Sequence, residues 1–261
     1  MFLLNHVLIF IANLKKNNKK MTAIINTQMS KAETNGMNLK NEKSLHKDIK
    51  KWYFRNGDRF EVKIEGKIID IVRNDLLIEI QTQNLAAIKN KLNKLLDRHK
   101  IRTVYPLAFE STVITLDKKD NSIKRIRKSP KKENYIDIFD QLITVANLLA
   151  HKNFSLEILL IKQHDIRIAD GTGSWKRRGV RLLDKQLIEV IDTMIFHKAN
   201  DYLKMLPVKL PNIFTNKELA TVTSIPVEKI RKITYCFRKM NLIKDTGLKQ
   251  GRAILFSPSL V

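Results

Sequence analysis

Three acidic residues, Glu61, Asp70 and Glu79, are spaced so that they can lie side by side on neighbouring β-strands. Alternating apolar residues predict three short strands, and Glu65-Gly66 and Asn74-Asp75 predict the two tight turns, because Gly, Asn and Asp tolerate positive φ. With two-residue loops, the register places Asp70 opposite both Glu61 and Glu79. Directly opposed residues have Cβ atoms roughly 5 Å apart, so these charges repel one another unless a cation neutralises them.

A divalent metal ion is the cation that this row of carboxylates would bind. Hard oxygen ligands suit Mg²⁺ or Mn²⁺, which proteins hold with one or two carboxylates plus water and substrate phosphate. The alternative interpretation is an amphipathic meander whose polar face is merely solvated. The opposite face of the meander is predicted to be a core face, with six residues: Val62, Ile64, Ile69, Ile71, Ile78 and Ile80.

The stretch from Asp70 to Glu79-Ile80-Gln81 resembles the core motif of the PD-(D/E)XK nucleases, a superfamily that includes many restriction enzymes and DNA-repair nucleases. The resemblance implies that Asp70 and Glu79 ligate Mg²⁺ or Mn²⁺, and that Gln81 orients the attacking water. It also implies that Glu61 binds the metal directly or through water. Gln81 departs from the family pattern, which usually has Lys here. Some active members have Gln, but Gln has no positive charge and cannot shuttle a proton, so an inactive variant stays an alternative.

The elements around the motif follow the order of that nuclease core. A helix is predicted to begin at Ser44, a second covers residues 82–99, and two strands cover residues 101–107 and 111–116. The predicted core is therefore helix, three-stranded meander, helix and two strands, in a restriction endonuclease-like α/β (α+β) fold. The resemblance also implies a further acidic residue before or within the first helix, for which Glu42 and Asp48 are the candidates.

The charge of the chain favours a polyanionic partner. Its 261 residues carry a formal net charge of +23, which suits nucleic acid or an anionic membrane surface. The apolar run at residues 1–14 is too short to span a bilayer comfortably, so no membrane is expected. The single cysteine, Cys236, excludes an intrachain disulfide and a multi-cysteine zinc site, and indicates a reducing cytoplasm.

Composition divides the chain into five segments. Residues 1–39 read as a poorly ordered basic tail and residues 118–134 as a basic linker, because both are rich in Lys and poor in periodic apolar residues. Residues 40–117 form the nuclease-like domain. Residues 135–208 are expected to form an α/β middle segment with strands at 155–161 and 180–191, and residues 209–261 form the last segment.

The last segment resembles a winged helix-turn-helix domain. Thr215 and Glu218 form a capping box at the start of one helix, and a turn at Ser224-Ile225-Pro226 precedes a second helix over residues 227–240. Two strands follow. The resemblance implies that the second helix enters the major groove of DNA while the wing touches the backbone. Winged helices also act as protein–protein modules, which leaves that alternative open.

The residues predicted to contact DNA are basic and lie in four places. The four places are the helix after the motif, a glycine-containing loop beside Trp175, the second helix of the winged segment, and its wing. In that order they are Lys89 and Arg98; Lys176, Arg177 and Arg178; Lys229, Arg231, Lys232 and Arg238; Lys249 and Arg252.

The sequence therefore predicts a Mg²⁺- or Mn²⁺-dependent DNA endonuclease, or a nuclease-like protein, that binds duplex DNA through a winged helix. The alternative is a non-catalytic DNA-binding or regulatory protein with a degenerate nuclease fold. An RNA-binding protein would follow from charge alone and would prefer single strands. A homodimer is expected because many members of both families are dimers. The chain is also similar to uncharacterised prokaryotic proteins of like length, which implies no activity.

Overall fold

A seven-stranded mixed β-sheet runs through the computed structural model, which describes residues 44–173, 175 and 179–259. Its first half follows the predicted order. The elements are helix α1 (Ser44–Tyr53), strands β1 (Arg59–Ile64), β2 (Lys67–Arg73) and β3 (Leu76–Ile80), a 3₁₀ turn (Leu85–Ile88), helix α2 (Lys89–Leu95), and strands β4 (Lys100–Asp117) and β5 (Ile123–Lys128).

The second half adds two long strands and a small carboxy-terminal module. The elements are 3₁₀ turns at Tyr135–Ile138 and Ala146–Leu148 around the one-turn helix α3 (Phe139–Leu142), strands β6 (Phe154–Ala169) and β7 (Val180–Phe196), a 3₁₀ helix (Ala199–Met205), helices α4 (Asn216–Thr223) and α5 (Val227–Lys239), and strands β8 (Ile243–Gln250) and β9 (Ala253–Pro258). No helix in this described part of the chain is long and apolar enough to cross a membrane.

The strand order is β1-β2-β3-β4-β6-β7, and β5 pairs with the far part of β4. Strand β2 is antiparallel to both β1 and β3, whereas β3, β4 and β6 run parallel to one another and β7 is antiparallel to β6. The two-residue turns predicted at Glu65-Gly66 and Asn74-Asp75 are confirmed by the pairing of the residues that flank them. Glu65 and Gly66 have φ values of 46° and 78°, the left-handed backbone that such a tight loop requires.

Both faces of β2 and β3 are buried, so the alternative interpretation of a meander whose polar face is merely solvated is wrong. Ile71 and Ile78 pack against α1 in one apolar cluster. Val72 and Leu77 join a larger cluster with α2 and the carboxy-terminal helices. The cause is the parallel arrangement of β3, β4 and β6, because parallel strands are normally covered by other elements on both faces.

Four other predictions also differ from the structure. Residues 118–134, predicted to be a linker, contain strand β5, in which Ile126 lies opposite Ile114 of β4. The strands of residues 135–208 belong to the same sheet as β4. The strands predicted at residues 101–107 and 111–116 are one strand with a register shift between Ala108 and Glu110. The helix predicted at residues 82–99 begins only at Lys89, after the 3₁₀ turn that Asn84 caps.

The carboxy-terminal module packs on the sheet through the face of α5 predicted to be apolar. The ring of Phe237 meets the ring of Phe139 edge-on, with centroids 5.8 Å apart. The capping box of Thr215 and Glu218 is confirmed, since each side chain accepts the backbone N–H of the other residue. The residues predicted to face the core are buried: Ile230, Ile233, Cys236, Phe237 and Met240.

Replacing Phe237 by Ala is expected to destabilise the whole protein by about 3–5 kcal/mol, because it leaves a cavity in the cluster that joins α5 to the sheet. Tyr235→Ala is the matched control, because Tyr235 lies on the same helix and is 44% exposed, so its loss should change stability by less than about 0.5 kcal/mol. Urea unfolding followed by circular dichroism and by tryptophan fluorescence measures both. Separate melting of the carboxy-terminal module alone would contradict a shared core.

Candidate functional site

Asp70 of β2 and Glu79 of β3 lie at the point where these two strands separate. The last paired residues before this point are Ile71 and Ile78. Beyond them, Asp70 Oδ2 accepts the backbone N–H of Ile80 at 2.8 Å. The carboxylate of Asp70 therefore takes the place of a backbone carbonyl as the acceptor between the two strands. Glu79 is only 3% exposed. The structure therefore brings the two carboxyls of the predicted motif together in a largely buried position.

Helix α1 places His46 and Lys50 beside these carboxylates. His46 Nε2 lies 3.2 Å from Asp70 Oδ2 and 2.9 Å from the carbonyl oxygen of Ile80. Lys50 Nζ donates to Glu61 Oε1 at 2.5 Å and lies 3.5 Å from Asp70 Oδ1. Lys50 is 2% exposed, so its ammonium group is held inside the protein. Residues four apart share a side of a helix, which is why one helix supplies both groups.

Contacts with β6 and β7 hold α1 across the sheet. The hydroxyl of Tyr53 donates to Glu157 Oε2 at 2.5 Å. The carboxylate of Asp48 accepts the backbone N–H of Leu187 at 3.2 Å, and the first residue of α1 donates to Asp184 Oδ1. These bonds fix both ends of α1, so its two cationic side chains stay over Asp70.

Lys91 of α2 reaches the site from the other face of the sheet. Its Nζ donates to Glu79 Oε2 and to the carbonyl oxygen of Ile68, both at 2.7 Å. Glu79 Oε1 is buried and has no hydrogen-bond partner in the described part of the chain. A buried acceptor without a partner costs about 1–3 kcal/mol, so the environment favours a proton, a water molecule or a cation at this oxygen.

The pKa values of the two carboxyls move in opposite directions. Burial, followed by the negative charge of Asp70, raises the pKa of Glu79 to about 7. Burial would raise the pKa of Asp70 too, but the hydrogen bond from His46 and the positive charges of His46 and Lys50 hold it below its ordinary value. Neighbouring carboxyls with divergent pKa values are typical of sites that move protons or bind cations.

Gln81 follows the pair at the end of β3. Its backbone N–H donates to the carbonyl oxygen of Val104 at 2.9 Å, which continues the pairing with β4. Its side-chain oxygen accepts the N–H of Gln83 at 3.4 Å. The positive charge near the carboxylates therefore comes from α1 and α2, and not from the position that follows the motif.

The predicted row of three carboxylates is interrupted by a protein cation. Lys50 lies between Glu61 and Asp70, so Glu61 contacts an ammonium group. Among the described residues, no group of three or more His, Cys, Asp or Glu side chains is arranged to hold a metal ion. Asp48, a candidate acid of the first helix, contacts β7 instead. The other candidate, Glu42, lies outside the described residues.

Two cations predicted to contact DNA are engaged within the protein. Lys229 of α5 donates to Asp137 at 3.0 Å and to Asp140 at 2.7 Å. Lys232 donates to the other oxygen of Asp140 at 2.8 Å. These ion pairs attach α5 to the segment around α3.

The other basic residues predicted to contact DNA fall on separate elements. Arg98 Nη1 lies 3.5 Å from Glu65 Oε1, and Arg231 donates to Glu228 at 2.6 Å. The remaining positions are Lys89, which is half-buried on α2, Arg238, which is exposed on α5, and Lys249 and Arg252, which are exposed on the β8–β9 hairpin. Lys176, Arg177 and Arg178 lie outside the described residues.

Two residues that the structure brings to the site, His46 and Lys50, were not singled out from the sequence. Lys91 was expected on the basic face of the helix after the motif, beside the site, but not as a partner of Glu79. The available signal was the spacing of His46 and Lys50, four residues apart and next to the apolar positions Leu45 and Ile49. That spacing shows that the two polar side chains share a side of α1. It does not show which strand they face, since that depends on how α1 crosses the sheet.

Glu79→Gln is expected to stabilise the metal-free protein by an amount that grows as the pH rises from about 4.5 to about 7. In this range the folded protein keeps the proton on Glu79 while the unfolded chain loses it, so wild-type stability falls with rising pH. The difference should level off above the folded pKa at on the order of 2–3 kcal/mol.

Chemical unfolding in EDTA from about pH 3 to about pH 8 measures the effect. Glu65→Gln is a control of opposite sign, because the hydrogen bond from His99 lowers the pKa of Glu65 below its ordinary value of 4.5. The wild type should therefore gain stability over that variant as the pH rises toward about 4.5, below the range in which Glu79 has its effect. A Glu79→Gln difference that is the same at every pH would show that Glu79 ionises normally.

Comparison with known proteins places the chain in a family. Residues 43–197 match the model of a domain of unknown function, DUF8091. An uncharacterized protein of Treponema pallidum (strain Nichols) is 32% identical over 222 residues, which cover 82% of this chain and 84% of that protein. No solved structure matches the chain. The matched residues include α1 and the strands that carry Asp70 and Glu79, and the chain belongs to the DUF8091 family.

Proposed function

We propose that this protein is a metal-dependent nuclease that acts on DNA, with Asp70 and Glu79 as its carboxylate pair. The observation that carries the proposal is the buried Glu79 beside Asp70, with one oxygen that has no hydrogen-bond partner among the described residues. The element order supports it, because the resemblance to PD-(D/E)XK nucleases implies a helix, a three-stranded meander and a helix, and the chain has these in that order before β4.

The donor set fits Mg²⁺ or Mn²⁺. Such ions are bound by one or two carboxylates and complete their coordination with water and substrate phosphate. Asp70 and Glu79 would hold the ion, and Glu61 would act through a water molecule. When bound, the ion supplies Lewis acidity and makes a bound water more acidic. The unpartnered oxygen of Glu79 is the atom that gains most from a cation.

We assign to Lys50 the positive charge that Gln81 lacks. Its ammonium group is buried between Glu61 and Asp70, and a charge in a poorly solvated site acts more strongly than the same charge in water. It is therefore placed to stabilise negative charge that develops on a phosphate bound at the carboxylates. Gln81 has an amide that can donate to or accept from the attacking water.

Duplex DNA is the proposed substrate, because the net charge of +23 favours a polyanion. Several predicted contact residues on the winged module remain exposed: Arg231, Arg238, Lys249 and Arg252. Lys229 and Lys232 would reach phosphate only after leaving Asp140. The proposed compartment is the reducing cytoplasm, in line with a single, buried cysteine, Cys236.

Asp70→Asn is expected to lower metal-dependent cleavage of duplex DNA by at least about 100-fold while DNA binding is kept, because the substitution removes a ligand charge but retains an acceptor for the N–H of Ile80. Cleavage of supercoiled plasmid in Mg²⁺ or Mn²⁺ measures the first effect, and a gel shift in EDTA measures the second.

The control for this experiment is Asp75→Asn, which makes the same chemical change in the turn between the same two strands. The Asp75 side chain is 72% exposed and contacts only Lys100 among the described side chains, so its loss should leave cleavage unchanged. Undiminished cleavage by a clean Asp70→Asn preparation would remove Asp70 from the active site.

A second candidate function is non-catalytic DNA binding by a nuclease-like fold that has lost its metal. The observation in its favour is that the protein supplies its own cations: Lys50 contacts Glu61 and Asp70, and Lys91 contacts Glu79. Ion pairs of this kind can replace a metal as the means of neutralising buried carboxylates.

Lys91→Met separates the two functions, because it leaves Glu79 without its ammonium partner. For the nuclease, we expect Mn²⁺ to raise the melting temperature of this variant by several degrees, since ligand binding to the folded state stabilises it. For the non-catalytic protein, the variant should be destabilised with or without Mn²⁺. Calorimetry of the wild type with Mn²⁺ provides an independent measurement, and absence of uptake would support the second function.

A further inference from the structure

The sheet extends well beyond the part that α1 covers. Strand β4 has 18 residues, β6 has 16 and β7 has 17, whereas β3 has 5. At about 3.3 Å per residue, β4 alone spans roughly 60 Å. The apolar cluster under α1 includes Val104 of β4 and Leu159 and Ile161 of β6. We call the remainder the distal sheet: β5 with residues 111–117 of β4, 163–169 of β6 and 180–185 of β7.

The strand registers define which side chains share a face of the distal sheet. Ile161 packs under α1, so Asp165 and Arg167, four and six residues further along β6, lie on the same face. Cross-strand partners also share a face. Arg127 pairs with Val113, which pairs with Asp165, and Asp165 pairs with Lys185. In the next row, Arg125 pairs with Thr115, which pairs with Arg167.

The distal basic face is therefore the continuation of the α1 face, and it carries Thr115, Arg125, Arg127, Arg167 and Lys185. The opposite face of the same strands is richer in apolar residues, which are Ile114, Leu116, Ile123, Ile126, Ile166 and Ile168. It also carries charged residues, because Lys128 pairs with Thr112, Asp184 with Ile166 and Arg181 with Ile168.

The charges on the distal basic face are neutralised only in part. Arg167 Nη2 lies 3.4 Å from Asp165 Oδ2 on the same face. Arg125 and Arg127 are exposed, and in the described ranges neither these two residues nor Lys185 forms an ion pair with an acidic group. By contrast, Lys124 and Lys128 of β5 lie 3.4 Å and 3.5 Å from Asp117 and Glu110. The unpaired positive charge of β5 is therefore concentrated in its two arginines.

A groove lies beside Lys185 of this face and close in sequence to Gln81. It lies between the start of α1, the loop after Gln81 and the first part of β7, and it is lined by Leu45, Thr82, Gln83, Leu182, Leu183, Asp184 and Lys185. Gln81 also pairs with Val104 of β4. From Val104 to Val113, which is the partner of Arg127, the strand advances nine residues, roughly 30 Å.

We propose that the distal basic face binds the phosphate backbone of duplex DNA whose cleaved bond lies at Asp70 and Glu79. This inference rests on the proposed nuclease function and names the surface that holds its substrate. A distance of about 30 Å corresponds to about nine base pairs at 3.4 Å each. Guanidinium groups match phosphate oxygens in bidentate geometry, and the two free arginines of β5 offer such groups.

The test compares two double variants of the same strand that remove the same charge. Arg125→Ala/Arg127→Ala removes the two arginines that β5 contributes to the distal basic face, and Lys124→Ala/Lys128→Ala removes the two paired lysines of the same strand. Binding of a fluorescent 20-base-pair duplex is measured by anisotropy in EDTA over a series of salt concentrations. The arginine pair should weaken binding about tenfold or more and reduce the log–log salt slope by about 2, whereas the lysine pair should change binding less than about twofold.

Three further measurements separate the loss of a phosphate contact from a change in folding or in catalysis. Arg125→Lys/Arg127→Lys retains the charge and should recover most of the affinity, and thermal melting should be the same for all variants because the changed side chains are exposed. In cleavage assays the arginine pair should raise KM with little change in kcat, because the contacts lie far from the reacting bond.

Failure of the nuclease proposal and failure of the surface assignment would give different results. No DNA binding by the wild type would overturn the proposed function itself. Wild-type binding that both double variants reduce equally, or that neither reduces, would overturn the assignment of the distal basic face and leave the nuclease proposal standing.

Discussion

The repulsion between two buried carboxyls, Asp70 and Glu79, is the constraint around which the centre of the protein is arranged. Burial and proximity make it costly to ionise both, and this raises the pKa of Glu79 while cations hold that of Asp70 down. The cations come from opposite faces of the sheet, with Lys50 on α1 and Lys91 on α2. The site therefore depends on both helices being packed at once.

The long strands give the sheet two regions with different roles. Where α1 and α2 cover it, both faces are apolar and hold the carboxyl pair in place. Beyond α1, one face carries Arg125, Arg127 and Lys185, and the other is richer in apolar residues. Strand β7 forms one edge of the sheet and carries three register shifts against β6. Such irregularities strengthen local twist and hinder addition of another strand at an open edge.

The carboxy-terminal module is joined to the sheet by charge as well as by apolar contacts. Lys229 and Lys232 of α5 are neutralised by Asp137 and Asp140, next to the packing of Phe237 on the α3 segment. Two of the basic side chains of α5 are thus engaged in contacts within the protein. The exposed arginines of β5 have no such acidic partner among the described residues, so they are more available to bind phosphate.

Local sequence signals determined much of the secondary structure. The turns at Glu65-Gly66 and Asn74-Asp75 and the capping box at Thr215 depend on backbone preferences and hydrogen bonds within a few residues, so they can be read without knowing the fold. The same local register indicated that Asp70 and Glu79 would be neighbours. The apolar face of α5 followed from helical periodicity.

Only the tertiary structure decided what these elements face. Burial of both faces of β2 and β3, the extension of the sheet through residues 118–134, and the arrival of Lys50 and Lys91 at the carboxyls all depend on contacts between residues distant in sequence. Periodicity shows which side chains share a face, but it carries no information about the partner of that face. The sequence by itself determined the carboxyl pair and its turns, and the packing of two helices on opposite faces of the sheet decided the charges around it.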